Sequence, residues 1–182
     1  MQDVFPSAEL LNLLGTDKFD IITSIAMFYD LEDPVHFTRG IRDVLAPDGL
    51  WIFEMSYMPS MLETNSYDTI CHEHLEYYSL AVIENILRRA DLKAVRATFN
   101  SINGGSIRVY ATHAANFKFK NPAYAEELRK LRQQESIKAS IVLMGTALCK
   151  GLLISAFRVS CSTNFAPYTA RLCRCQATAG IR

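Results

Sequence analysis

Nine consecutive residues, Cys71-His72-Glu73-His74-Leu75-Glu76-Tyr77-Tyr78-Ser79, bring together two imidazoles, two carboxylates and two phenols. An imidazole changes charge near neutral pH, so a histidine here suits proton transfer to or from a bound molecule. His72-x-His74 with Glu73 or Glu76 also has the residue types of a metal site, but alternate residues on an extended segment diverge and no further histidine lies close by. The plainer reading is a pair of solvated loop histidines. Tyr77 and Tyr78 fit the wall of a polar–aromatic pocket or, equally, the core. Arg108, close to Ser106, suits an anionic group on a ligand or the surface of a strand. Asp30, Glu32 and Asp33 resemble a carboxylate pair, yet beside Pro34 they more simply start a helix, where acids offset the dipole.

These residues need a scaffold, and the apolar periodicity supplies one. Ser7–Leu14 reads as a short helix stopped by Gly15. Asp20–Ala26 is β-branched and nearly all apolar, the pattern of a parallel strand buried on both faces. Pro34 opens a helix carrying Phe37, Ile41, Val44 and Leu45 at helical spacing, ended by Ala46-Pro47-Asp48-Gly49. A second apolar run, Leu50–Met55, makes a parallel βαβ unit the natural inference. Residues 57–78 read as irregular and too long for a mere connector, hence functional or lid-like. Ser79 caps a helix with Val82, Ile83, Ile86, Leu87 and Ala90 on one face and Arg88 and Arg89 in its last turn. Leu92–Phe99 and Ser106–Thr112 form strands joined around Asn103-Gly104-Gly105, and Tyr124–Glu135 a charged helix. The predicted order is β-α-β-loop-α-β-β, an α/β fold ending in an antiparallel pair.

Phe19–Pro34 resembles the fourth strand and following loop of class I S-adenosylmethionine methyltransferases, and Val44–Glu54 resembles their fifth-strand motif. Together with Cys71–Ser79 and Asn103-Gly104-Gly105-Ser106-Ile107-Arg108, they are similar to the C-methyltransferases of deoxy-keto sugars and related substrates. The likeness covers roughly residues 5–135. It implies a partial Rossmann-like sheet ending in an antiparallel hairpin, followed by a C-terminal helix and an irregular tail. It also implies S-adenosylmethionine as cofactor, packed against Ser24, Ala26, Met27 and Tyr29. The carbon beside a ketone must lose a proton before it attacks the methyl group, and the likeness gives that task to His74. Glu73 would hold a sugar hydroxyl or tune the imidazole. His72, Tyr77, Tyr78 and Arg108 would contact the substrate, a small molecule for which a nucleotide-linked sugar is one candidate. Cys71 stands where such proteins often have tyrosine, so the hydrogen bond of that phenol is missing.

No Gly-x-Gly occurs at a strand-to-helix junction here, since Gly104-Gly105 falls in the hairpin turn. The resemblance therefore places the glycine-rich cofactor loop ahead of Met1, so the chain is expected to be the C-terminal part of such a domain, an inactive fragment or a partner that completes its sheet by association. The strand at Phe19–Ala26 would then expose an apolar edge open to pairing with another chain. An O-methyltransferase, which needs no carbon acid, is the other alternative.

The chain has 182 residues, 49% hydrophobic and 21% charged, ordinary values for one globular domain. Neither a membrane span nor a secretory leader is legible, so a cytoplasmic address is the default expectation. The zero net charge hides an asymmetry: residues 1–135 hold all 19 acids and 13 of the 19 lysines and arginines, and the last 47 residues hold six cations and no acid. Six cations among apolar runs make no dense patch, which argues against nucleic-acid binding. Cys149, Cys161, Cys173 and Cys175 lie in the same stretch, and the spacing of the last two fits neither a zinc knuckle nor a redox pair. Three regions follow: 1–115 as the methyltransferase part, 116–135 as the charged helix, and 136–182 as an atypical basic tail. The tail has the composition a shifted reading frame would produce, with a divergent extension or a basic interaction arm as rivals.

Overall fold

A computed structural model describes residues 5–66 and 70–152. Residues 153–182, with Cys161, Cys173 and Cys175, and the side chain of Cys149 lie outside what is described.

The first half follows the apolar pattern closely. Helix α1 (Ala8–Leu14) is capped by the Ser7 hydroxyl, which accepts from the Leu10 N–H, and ends at Gly15 with φ of 56°. Strand β1 (Phe19–Ile25) leads through a 3-10 turn at Phe28–Asp30 into α2 (Pro34–Val44). Asp33 opens α2 by accepting from the His36 N–H at 2.9 Å, so this acid is a cap rather than half of a catalytic pair. Strand β2 (Leu45–Ser56) runs parallel to β1 and starts earlier than its apolar run suggests. Phe19 pairs with Leu45 and Ile21 already with Leu50, so residues 46–49 bulge within the strand instead of forming a turn before it. Gly49 permits the bulge, since an added Cβ would lie 2.9 Å from the Phe19 carbonyl oxygen.

The four strands take the order β1-β2-β4-β3, with β3 (Leu92–Asn100) and β4 (Ser106–His113) as the expected antiparallel hairpin and β4 antiparallel to β2. Trp51, Phe53 and Met55 pair with Ala111, Val109 and Ile107, and all six are buried. Onto this face pack Ile41 from α2, Leu80, Ile83 and Leu87 from α4 (Leu80–Arg89), and Leu128 from α5 (Pro122–Leu152). Burying such side chains stabilises by about 1.5–3 kcal/mol each before the entropy of ordering them is set against it.

Three expectations are corrected. β1 is not buried on both faces: Ile22 and Ser24 face the core, but Ile21 and Ile25 are 63% and 54% exposed, because β1 is an edge strand and the packed helices cover one side of the sheet. Residues 57–78 are not irregular throughout, since α3 (Met58–Thr64) lies within them. Pro59 sits in the first turn of α3, where proline costs no hydrogen bond, and Asn65 ends it in the left-handed conformation with φ of 53°; both residues punctuate a helix. Finally, α5 does not stop at Glu135 but runs on to Leu152, across a stretch without proline.

Candidate functional site

Parallel strands direct their carboxyl ends to one side, and in α/β sheets ligands bind there. β1 ends at Ile25, and Ala26 follows with φ of 53°, uncommon for a residue bearing a Cβ, held by its N–H donating to the Glu54 carbonyl at 2.9 Å. The chain then turns through Met27 into Phe28–Asp30, burying Tyr29. β2 ends with Glu54, Met55 and Ser56, all buried, followed by Tyr57.

The segment carrying His74 is fastened across these strand ends. The Tyr29 carbonyl accepts from the Leu75 and Glu76 N–H groups at 2.9 and 3.1 Å, and Tyr78 bridges Tyr57 while its carbonyl accepts from the Met58 N–H at 3.0 Å. The His74 ring lies 4.1 Å from the Tyr29 ring and 6.1 Å from Tyr77. Burial pushes the Tyr29 phenol above its ordinary range, with Asp30 and Cys71 adding to the shift, and burial does the same for Tyr77. Tyr29, His74, Tyr77 and Cys71 thus form one cluster.

The other candidates divide. His72 is almost fully exposed and its Nε2 lies 3.5 Å from Glu73 Oε1, so Glu73 pairs with His72 and not with His74. The Ser24 hydroxyl accepts from Trp51 Nε1 at 3.1 Å and belongs to the core, which leaves Ala26 and Met27 as the part of that stretch turned to the strand ends. Arg108 donates from Nε and Nη2 to Glu54 Oε2 at 2.7 Å, and this hydrogen bond holds the guanidinium above its usual value. Arg108 therefore neutralises a buried carboxylate from the opposite face to Trp51. Tyr78 is buried with its ring 5.3 Å from Phe28.

Buried polar atoms are almost always hydrogen-bonded, and each exception calls for a cause. Among the described residues four such side-chain atoms lack a partner: Ser56 Oγ, His74 Nδ1, Tyr78 Oη and Arg96 Nε. The first three belong to the end of β2 and the segment bridged to it. A cleft of about 650 Å³ opens instead beside Lys18, Leu45, His113 and Lys118, where β2 begins. Its cations are already engaged, Lys18 with the Asp43 carbonyl at 2.6 Å and Lys118 with Asp48 at 3.7 Å. The unpartnered atoms, not the size of that cleft, mark the chemical site. Among the described residues no three metal-binding side chains converge, and no helix is long and apolar enough to cross a membrane.

Tyr78→Phe is expected to raise stability by about 1 kcal/mol, because it removes a hydroxyl that is desolvated without a partner; an unchanged or lower midpoint in urea unfolding would contradict this. Burial, above all, also raises the phenols of Tyr57 and Tyr78. A group whose folded pKa is raised stabilises fully below its unfolded value and loses that contribution as pH rises towards its folded one. Stability should therefore fall from pH ~10 upward, by at most about 1.4 kcal/mol per pH unit for each tyrosine, and less steeply in Tyr78→Phe.

Sequence reasoning missed two carboxylates. Glu54 stands in an apolar run, and Glu135 falls on the stripe of Leu128 and Leu131 at i, i+3, i+7, where a charge signals a buried partner.

An α/β sheet with a polar cluster across its parallel strand ends defines a ligand-binding domain of the Rossmann-like kind. Residues 3–97 match the family model described as "Methyltransferase domain". The chain belongs to this family. It is 36% identical over 107 residues to C-methyltransferase NovU of Streptomyces niveus, covering 59% of this chain and 26% of NovU. It is 33% identical over 75 residues to the malonyl-[acyl-carrier protein] O-methyltransferase of Porphyromonas gingivalis, covering 41% and 28%. The chain thus spans about a quarter of the length of these curated relatives. Among solved structures, the mitomycin 7-O-methyltransferase MmcR matches with a TM-score of 0.43 at 16% identity, over 53% of this chain and 30% of that one. The N-methyltransferase NodS of Bradyrhizobium japonicum gives 0.40 at 19% identity, over 54% and 52%.

Proposed function

We propose that this chain provides the substrate side of a methyltransferase site that methylates a carbon beside a ketone, in a keto-sugar or similar small molecule, with His74 as the base. The observation that carries the reading is the buried, unpartnered His74 Nδ1, set against Tyr29 at the carboxyl ends of the parallel strands. The 36% identity with a C-methyltransferase supports the same reading.

The donor that the family implies is S-adenosylmethionine, which when bound supplies an electrophilic methyl group. The residues present fit one wall for it: the left-handed turn at Ala26 presents backbone at the end of β1, and Met27 adds a half-buried apolar surface. On the substrate, the His74 imidazole accepts the carbon-bound proton and leaves an enolate, whose carbon then attacks the methyl group. The rings of Tyr29 and Tyr77 keep the imidazole from turning and shield it from water. Glu73, exposed and adjacent, is placed to accept a hydrogen bond from a substrate hydroxyl. Tyr78 and Ser56, buried at the end of β2 with unpartnered hydroxyls, back the segment from beneath. Arg108 keeps the Glu54 carboxylate neutralised beneath the site, with its exposed side available to an anionic group.

A keto-sugar incubated with the chain in D₂O, with and without S-adenosylmethionine, tests the proposal. Deuterium entering at the carbon beside the ketone, lost in His74→Ala, supports it; methyl transfer to oxygen without exchange would replace it by O-methylation. A second reading, that another polypeptide completes the sheet, is favoured by the exposed Ile21 and Ile25 on edge strand β1. Mixed dimers disrupted by Ile21→Lys would support that reading.

A further inference from the structure

Glu135 lies on α5, far in sequence from every candidate residue, yet it is only 7% exposed. A carboxylate taken out of water is costly unless donors surround it. Here Oε1 accepts from the Tyr57 hydroxyl at 2.5 Å and from the Leu80 N–H at 2.7 Å, while Oε2 accepts from the Ala81 N–H at 3.1 Å. Leu80 and Ala81 open α4, where the first N–H groups of a helix have no partner of their own. The local cap, Ser79, serves only Val82, at 3.4 Å. A residue 55 positions downstream thus completes the cap of α4 and at the same time grips the end of β2.

These two points bound the segment that carries His74. Its later end is fixed at Tyr78, which bridges Tyr57 and directly precedes Ser79 and Leu80. Two further ion pairs reach from α5 to its neighbours, Arg132 to Glu84 on α4 at 2.7 Å and Lys138 to Glu63 on α3, but both are partly solvated and add little to the docking. An apolar residue would dock α5 at lower desolvation cost, but it would slide; three directed hydrogen bonds permit one position. We infer that Glu135 is a positioning residue, which locks α5 onto the end of β2 and the start of α4 and thereby holds Cys71–Tyr78, and His74 with it, over the carboxyl ends of β1 and β2. Its consequence for catalysis rests on the reading of His74 as base, while its geometry does not.

The test uses the 182-residue chain with Glu135→Ala, Glu135→Gln and, as a control, Arg132→Ala, which breaks only a half-exposed ion pair. The NMR signals of the four histidines are followed. The Tyr29 ring at 4.1 Å shifts those of His74. Peptide-resolved alkylation of Cys71, a free and partly exposed thiol, reports the other end of the segment. In Glu135→Ala the His74 signals should move to unstructured positions and Cys71 should react at least tenfold faster, with His36 and His113 unchanged. Glu135→Gln, which keeps one acceptor oxygen, should fall between, and Arg132→Ala should match the parent. Wild-type His74 signals and Cys71 rates in Glu135→Ala, with the Leu80 and Ala81 amides exchanging faster, would overturn the inference. If Glu135→Ala does not fold, the same wild-type behaviour in Glu135→Gln overturns it. Absence of deuterium incorporation by the parent chain would remove the base role of His74 and leave this result standing.

Discussion

Trp51→Ala is expected to lower the stability of the chain by about 3–5 kcal/mol, enough to unfold a domain of ordinary stability. Trp51 is fully buried at the centre of the sheet, stacked on Phe53 at 4.0 Å and in contact with Phe28 and Phe37. These rings join β2, the turn after β1 and helix α2, so the cavity left by the indole would open where three elements meet. The Trp51 Nε1–H also satisfies the Ser24 hydroxyl, and its loss leaves that oxygen without its donor. Trp51→Phe should cost less than half as much, since most of the apolar volume remains. Chemical unfolding followed by circular dichroism decides the matter. A loss below about 1.5 kcal/mol in Trp51→Ala would mean that the surrounding rings collapse into the space.

His74→Ala is expected to abolish proton exchange beside the ketone, a loss of about 10²- to 10⁴-fold if the imidazole is the base. His72→Ala should change the rate by less than about threefold, because His72 projects into solvent and touches only Glu73. The contrast matters more than either value. Two histidines separated by one residue have the same local sequence environment, and the structure separates them by burial and by the Tyr29 ring. Equal losses in the two variants would locate the activity in the loop as a whole and count against His74 as the proton acceptor. Retention of structure in both is checked by the far-UV spectrum, since neither side chain belongs to the main apolar cluster.

These two expectations rest on different parts of the fold, and so does what could be read in advance. The parallel β1-α2-β2 unit, the helix after Ser79 and the closing hairpin were legible because each has a strong local period and local punctuation: Asp33 and Pro34, Ser79, Gly104 and Gly105. Gly105 shows where local information stops: its φ of 121° suits glycine in the turn, whereas the approach of Ser60 from α3, which an added Cβ would meet at 2.6 Å, is set by the tertiary fold. α3 was missed because Pro59 and Asn65, its punctuation, are also loop formers, and the distinction lies in whether the five residues between them close hydrogen bonds.

The sequence by itself determined the alternation of elements, the apolar face of the sheet and the cluster from Cys71 to Tyr78, because these depend on residue type and spacing along one stretch of chain. Only the tertiary structure decided that His74 is held against Tyr29 while His72 projects into solvent, that Arg108 answers Glu54 across paired strands, and that Glu135 caps a helix that begins 55 residues earlier. Each of these is a contact between segments distant in the chain. The energy of a charge or an imidazole depends on which groups surround it in space, and no local period records that.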